Sequence, residues 1–230
     1  LTDKKPAEET TPVTTGTPGT TRIVCIVDRS GSMQGAKEDA IGGFNSFLEK
    51  QQAEPGACLL TYVQFDHEYE VVHDGIDIHD MKPLDETTFV PRGNTALLDA
   101  IGRGISTVSA RIEATPVSER PDHVVLVILT DGGENHSREF ARFRVQGLVE
   151  DCTQKKGWKV IYLAQGIEAF DEAARMGLDP NQSNTLCALS GTGGQGMRKA
   201  YAGATYAVSE LRSKGSYNKS DTSKVMDETE

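Results

Sequence analysis

No apolar run in this 230-residue sequence approaches the roughly 20 residues that a membrane-spanning helix requires. No cluster of Lys and Arg occurs either. Its 24 basic residues are outnumbered by 34 acidic ones, giving a net charge of -10 and a pI of about 5.0. An acidic chain without a basic patch suits neither nucleic acid nor anionic lipid, so neither nucleic acid nor membrane is expected among its partners. Cysteine is sparse, and Cys25, Cys58, Cys152 and Cys187 form no C-x-x-C pair. A disulfide scaffold would be denser. Three of the four lie in apolar runs, so they read as buried, reduced thiols. The N-terminal stretch holds no apolar signal core. Together these absences make a cytoplasmic location the expectation.

Several catalytic signatures are also missing. Ser30 and Ser32 lack a G-x-S-x-G elbow, and His67, His73, His79, His123 and His136 lie in no motif that positions a base. The run Gly191-Thr192-Gly193-Gly194-Gln195-Gly196 lacks the Lys-Ser/Thr ending of a phosphate loop and reads as a turn before a helix. A zinc site from His73 and His79 has little support.

What is present is the composition of a soluble globular domain, 37% hydrophobic and 25% charged. A single core of this size buries about 70% of the unfolded surface and needs no staples. Residues 1–21 are rich in Thr, Pro, Lys and Glu, and residues 213–230 in Ser, Lys, Asp and Glu. Both read as flexible tails, leaving a packed domain over 22–212. Within it, Ile23–Val27, Val124–Leu129 and Val160–Leu163 are short, wholly apolar runs, as strands covered on both faces should be. Helical spacing follows at Ala40, Ile41, Phe44, Phe47 and Leu48; at Leu97, Leu98, Ile101, Ile105, Val108 and Ile112; at Phe140, Phe143, Leu148, Val149 and Cys152; around 168–176; and at Met197, Ala200, Tyr201, Ala204, Ala207, Val208 and Leu211. Cys58–Phe65 and Tyr69–Val72 flank Asp66-His67-Glu68 as a hairpin. The stretch 74–92 reads as irregular, and a last short strand covers about 184–188. The fold class is α/β: a doubly wound, mostly parallel sheet with one antiparallel edge strand and helices on both faces.

In such sheets ligands sit at the carboxyl ends of the strands, where strand order reverses. Asp28 ends the first buried strand, Asp131 follows the second, and Thr95 stands at a helix start. With Ser30 and Ser32 they supply two carboxylates and three hydroxyls. An all-oxygen set suits a hard cation such as Mg2+, which takes six oxygens at about 2.0–2.1 Å and keeps several waters. Three neutral hydroxyls leave a dication short of negative charge, so it would seek a carboxylate from outside.

Asp28-x-Ser30-x-Ser32, the later Thr95 and Thr130-Asp131-Gly132 resemble the metal-ion-dependent adhesion site of von Willebrand factor type A domains. The likeness extends over most of 22–212. Asp-Arg-Ser-Gly-Ser-Met, Gly-Gly-Phe-Asn-Ser-Phe, Thr-Ala-Leu-Leu-Asp-Ala-Ile-Gly and Thr-Asp-Gly-Gly-Glu-Asn are similar to small stand-alone type A domains of bacteria and their phages. The resemblance implies a Rossmann-like fold and direct metal contacts from Ser30 and Ser32. Thr95 would bind directly when a ligand is engaged, and Asp28 and Asp131 through bridging waters. The metal would be Mg2+, with Mn2+ or Ca2+ as alternatives. The remaining position would take a Glu or Asp of a partner protein. Gly31, Gly132 and Gly133 are expected to give the loops turning freedom, and Asn135 or Ser137 to cap the helix that follows.

The reading is therefore a binding domain and not an enzyme. One rival is a Mg2+-dependent phosphoesterase with Asp28 as nucleophile. It lacks a second carboxylate two residues beyond Asp28 and a lysine beside Asp131. A second rival is a structural or decoration protein of a larger assembly, virion-associated if the chain is phage-encoded.

Overall fold

The computed structural model describes residues 19–165, 167–178, 184–190 and 194–228. Strand β1 (Thr21–Asp28) is followed by a 3-10 turn (Gly31–Ala36) and helix α1 (Lys37–Ala53). The hairpin β2 (Cys58–Phe65) and β3 (Tyr69–Asp77) comes next, then α2 (Leu97–Ala114), β4 (His123–Thr130) and α3 (Arg142–Glu150). Strand β5 (Lys159–Gln165), α4 (Ile167–Arg175), β6 (Thr185–Ser190), α5 (Gly194–Lys214) and α6 (Lys219–Glu228) complete the described chain.

The six strands form one sheet in the order β3-β2-β1-β4-β5-β6. Every neighbouring pair is parallel except the edge hairpin β2–β3. This is the expected doubly wound sheet with one antiparallel edge strand. Side chains alternate along a strand, and here both faces are covered. Ile23, Cys25 and Val27 of β1 pack in the cluster containing α1 and α5, while Val24 and Ile26 pack in the one containing α2, α3 and α4. That is why the central strands are apolar without alternation.

Some local expectations differ from the structure. β3 continues to Asp77 and a 3-10 turn covers Ile78–Asp80, so the stretch read as irregular begins later. α3 starts at Arg142, which leaves Phe140 in the preceding loop, and Phe143 is 78% exposed instead of lining the buried face. Thr21 belongs to β1, and Thr20 N donates to Asp122 Oδ2 at 2.8 Å, so the packed domain includes residues before 22. The rest of the expected N-terminal tail, residues 1–18, lies outside the described residues.

Within the segment read as a C-terminal tail, residues 219–228 form α6, which docks on α5. The reason is a small apolar stripe within a polar sequence. Thr222 is fully buried and Met226 packs against the core cluster. A Cβ on Gly203 of α5 would come within 2.6 Å of Met226 Cγ, so the glycine makes room for the contact.

Candidate metal centre

β1 and β4 are neighbours, and the sheet's strand order reverses between them. Asp28 and Thr130 are the last residues of these strands, and the period of two puts both on the same face. Thr130 Oγ1 accordingly donates to Asp28 Oδ2 at 2.6 Å. The other carboxylate oxygen, Asp28 Oδ1, accepts from Ser30 N at 2.7 Å, which curls the chain back as it leaves β1. The Ser30 and Ser32 hydroxyls lie 3.1 Å apart, and Ser32 Oγ donates to Asp131 Oδ1 at 2.7 Å. Thr95 comes from the loop before α2. A Cβ built on Gly132 would stand 3.8 Å from Ser32 Oγ and 3.9 Å from Thr95 Oγ1. The five residues singled out in the sequence thus gather at one end of the sheet.

Asp28, Ser30 and Thr95 form a buried floor, with exposures of 0%, 1% and 3%, while Ser32 is exposed and Asp131 half-buried at the rim. Burial pushes the Asp28 carboxyl up to about 6, against the hydrogen bonds from Thr130 and Ser30, and Asp131 adds repulsion. Burial also raises Asp131, with the Ser32 hydroxyl opposing. Among the described residues neither carboxylate forms an ion pair, whereas Asp66 pairs with Arg29 and Arg92. The donor set fits a small hard cation. All its atoms are oxygen, and two oxygens on adjacent corners of an octahedron with bonds of about 2.1 Å stand about 3.0 Å apart, close to the Ser30–Ser32 spacing.

The loop carrying the serines is held by a second cluster that the sequence reading did not identify. Arg29, 8% exposed, donates from Nε to Asp66 Oδ2 at 3.0 Å and from Nη1 to Gln64 Oε1 at 3.2 Å, and pairs with Glu70 at 2.7 Å. Arg92 Nε donates to the same Asp66 oxygen at 2.8 Å, and Arg92 N to Arg29 O at 2.8 Å. Gly31 N then donates to Gly93 O at 3.1 Å. A Cβ on Gly31 would sit 3.3 Å from that carbonyl, and one on Gly93, whose φ is +67°, would fall 2.1 Å from His67 Nδ1. A side chain at Gly31 would thus crowd the carbonyl that its own amide binds. Neither it nor Gly132 or Gly133 adopts a left-handed conformation, which corrects the expectation of turning freedom. The sequence signal for this cluster is only an Arg inside the motif.

Ser137 does cap a helix, but the preceding one, and Asn135 holds the residue just before that helix. Asp99 N, in the first turn of α2, donates to Ser137 Oγ at 3.0 Å, and Thr95 N, in the loop before α2, to Asn135 Oδ1 at 2.9 Å, so neither side chain serves α3 in these contacts.

Other candidates have their donors engaged. Asp66, His67 and Glu68 bring three ligand atoms within 4.8 Å of one another, but Asp66 already holds Arg29 and Arg92, and Glu68 holds Arg92. His79 uses Nδ1 on Asp77 and Nε2 on the Gln52 carbonyl, which leaves no ring nitrogen for zinc. Residues 191–193 of the glycine-rich stretch lie outside the described residues. A groove of about 820 Å³ between α1, α5 and α6 includes none of the five oxygen donors. No helix among the described residues is long and apolar enough to cross a membrane.

No protein-family model and no curated protein matches this sequence. Solved structures do. A von Willebrand factor type A protein from Catenulispora acidiphila matches with a TM-score of 0.54 at 13% identity, over 82% of this chain and 42% of its own. Proximal thread matrix protein 1 of the mussel byssus, with a zinc-occupied MIDAS motif, matches with 0.54 at 14% identity, over 83% and 46%. The manganese-loaded TRAP protein of Plasmodium vivax matches with 0.54 at 16% identity, over 80% and 72%. The chain spans less than half the length of the first two of these. At such identities the likeness speaks for architecture, and together with the strand order it shows that this chain has a von Willebrand factor type A-like fold.

Proposed function

We propose that this domain binds a divalent cation at the end of β1 and β4 and uses it to dock an acidic side chain of another protein. The observation that carries the reading is the pair of carboxylates, Asp28 and Asp131, each hydrogen-bonded by a hydroxyl and neither in an ion pair among the described residues. Carboxylates raised by burial and repulsion gain most from a cation supplied from outside. Ser30, Ser32 and Thr95 would hold the metal by their hydroxyls, with Asp28 and Asp131 fixing its waters and supplying charge. The cation would act as a Lewis acid toward one carboxylate oxygen of the partner. Ser32 and Asp131, at the rim, leave that side accessible. The metal proposed is Mg2+. Mn2+ or Ca2+ would meet the same oxygen set, and the zinc-occupied motif and manganese-loaded protein among the similar structures support a divalent ion more broadly.

Binding is favoured over phosphoester hydrolysis by the state of Asp28. It is wholly buried, and both its oxygens already accept hydrogen bonds, so neither is presented as a nucleophile. The test uses immobilised peptides bearing Glu, Asp or their amides. Capture of the full chain by acid-bearing peptides in Mg2+, lost with chelator and with Ser30→Ala/Ser32→Ala, supports docking. Turnover of small phosphoesters that disappears in Asp28→Ala would replace the proposal with the enzyme reading.

A further inference from the structure

The amides at the start of an α-helix need acceptors, and α2 has no local cap: Ala96 precedes it and offers no side-chain acceptor. The acceptors come from the loop that follows Asp131. Besides the Asn135 and Ser137 contacts, Leu98 N donates to Glu134 Oε2 at 2.8 Å. The same carboxylate organises its own loop, with Oε1 accepting from His136 N at 2.8 Å and Ser137 N at 2.6 Å, and Oε2 from Ser137 Oγ at 2.6 Å. Glu134 thus receives four donors from two segments of chain. The contact is reciprocated. Thr95 O accepts from Asn135 N and His136 N, both at 3.1 Å, and the Asp99 carboxylate accepts from the amides of Arg138, Glu139 and Phe140 at 2.8–2.9 Å.

The geometry points to Glu134 as a positioning residue of the metal centre: it clamps the first turn of α2 behind Thr95 to the loop behind Asp131, so that a hydroxyl and a carboxylate from distant segments keep one separation. Its negative charge also suits the positive end of the helix. Glu134 need not touch the cation to do this. The inference rests on the metal-binding reading above, and it adds a residue outside the motif on which ion affinity depends.

The experiment compares the wild type with Glu134→Ala, Glu134→Gln and a control, Ile161→Val, which trims a buried side chain of β5 in the core cluster on the other face of the sheet from α2. Mg2+ affinity is read by calorimetry, and amide hydrogen exchange is followed in chelator. Glu134→Ala should weaken Mg2+ binding about tenfold or more, the range of outer-shell changes at metal sites. Glu134→Gln, which keeps one acceptor oxygen, should fall between alanine and wild type, and it still reports if the alanine variant does not fold. In chelator, exchange at Leu98, His136 and Ser137 should quicken while the β1 and β4 amides stay protected. Unchanged Mg2+ affinity in Glu134→Ala, or an equal loss in Ile161→Val, overturns the positioning role. If the wild type takes up neither Mg2+ nor Mn2+, the metal reading fails by itself. The exchange arm then still judges the clamp, and unchanged protection at those three amides overturns it.

Discussion

Two buried aspartates stand at the ends of adjacent parallel strands and are neutralised in opposite ways. Asp66 follows β2 and Asp28 ends β1, and both are 0% exposed. Asp66 receives two guanidinium groups, from Arg29 and Arg92, and the Glu68 amide at 2.7 Å. Burial pushes its carboxyl up, but Arg92, that amide and Arg29 outweigh burial and leave it below its ordinary value. Asp28 receives one amide and one hydroxyl and rises to about 6. A buried carboxylate with its own cations is a structural fixture. One held by an amide and a hydroxyl beside a second carboxylate would, on the proposed reading, take its countercharge from a bound cation.

The sharpest way to break this contrast is Asp66→Ala. It strips the Nε acceptor from Arg29, which is itself buried, and from Arg92, and should lower stability by about 3 kcal/mol, the lower end for broken buried pairs because Gln64 and Glu70 still hold Arg29, measured by urea unfolding. Ser30→Ala/Ser32→Ala attacks the other side. Mg2+ affinity should drop beyond about 100-fold, the upper end for an outer-shell change, with the melting temperature in chelator nearly unmoved. Loss of folding in that double variant would instead make the two clusters equivalent.

The contrast also has a pH signature. Asp28 binds its proton more tightly folded than unfolded, so in chelator its contribution to stability falls as pH rises from its ordinary value of 3.8 through about 6. Asp66, whose folded value is depressed, contributes the reverse, stability gained above its unfolded value and lost on acidification through its folded one. Asp28→Asn should remove the first component from the pH profile of thermal melting, and an unaltered profile would deny the unusual state of Asp28. The smallest effect is expected from Thr130→Val. Losing one hydrogen bond to a buried carboxylate should lower metal-free stability by about 1.5 kcal/mol, read from the same melts.

Much of the fold was legible because its central strands are apolar on both faces. Val24 and Val27 look alike in sequence, and both are buried, one against α2–α4 and the other against α1 and α5. The gathering of the candidate site residues was legible for a related reason: strand ends in this architecture converge at the reversal of strand order, so Asp28 and Asp131 could be placed together from their positions alone. α6 was not legible. Its stripe of Thr222 and Met226 is too short to stand out from a polar segment, and it docks only because Gly203, distant in sequence, leaves room. Nor was the partner of Arg29, which could equally have been a solvated surface charge.

The sequence by itself determined the layers of the fold and the oxygen chemistry of the site, because periodicity and ligand type are properties of local residues. Only the tertiary structure decided which aspartate is matched by arginines and which by hydroxyls, and that the loop after Asp131 caps the helix of Thr95. Both depend on distances between segments far apart in the chain, which the packing of strands and helices sets and no local pattern encodes.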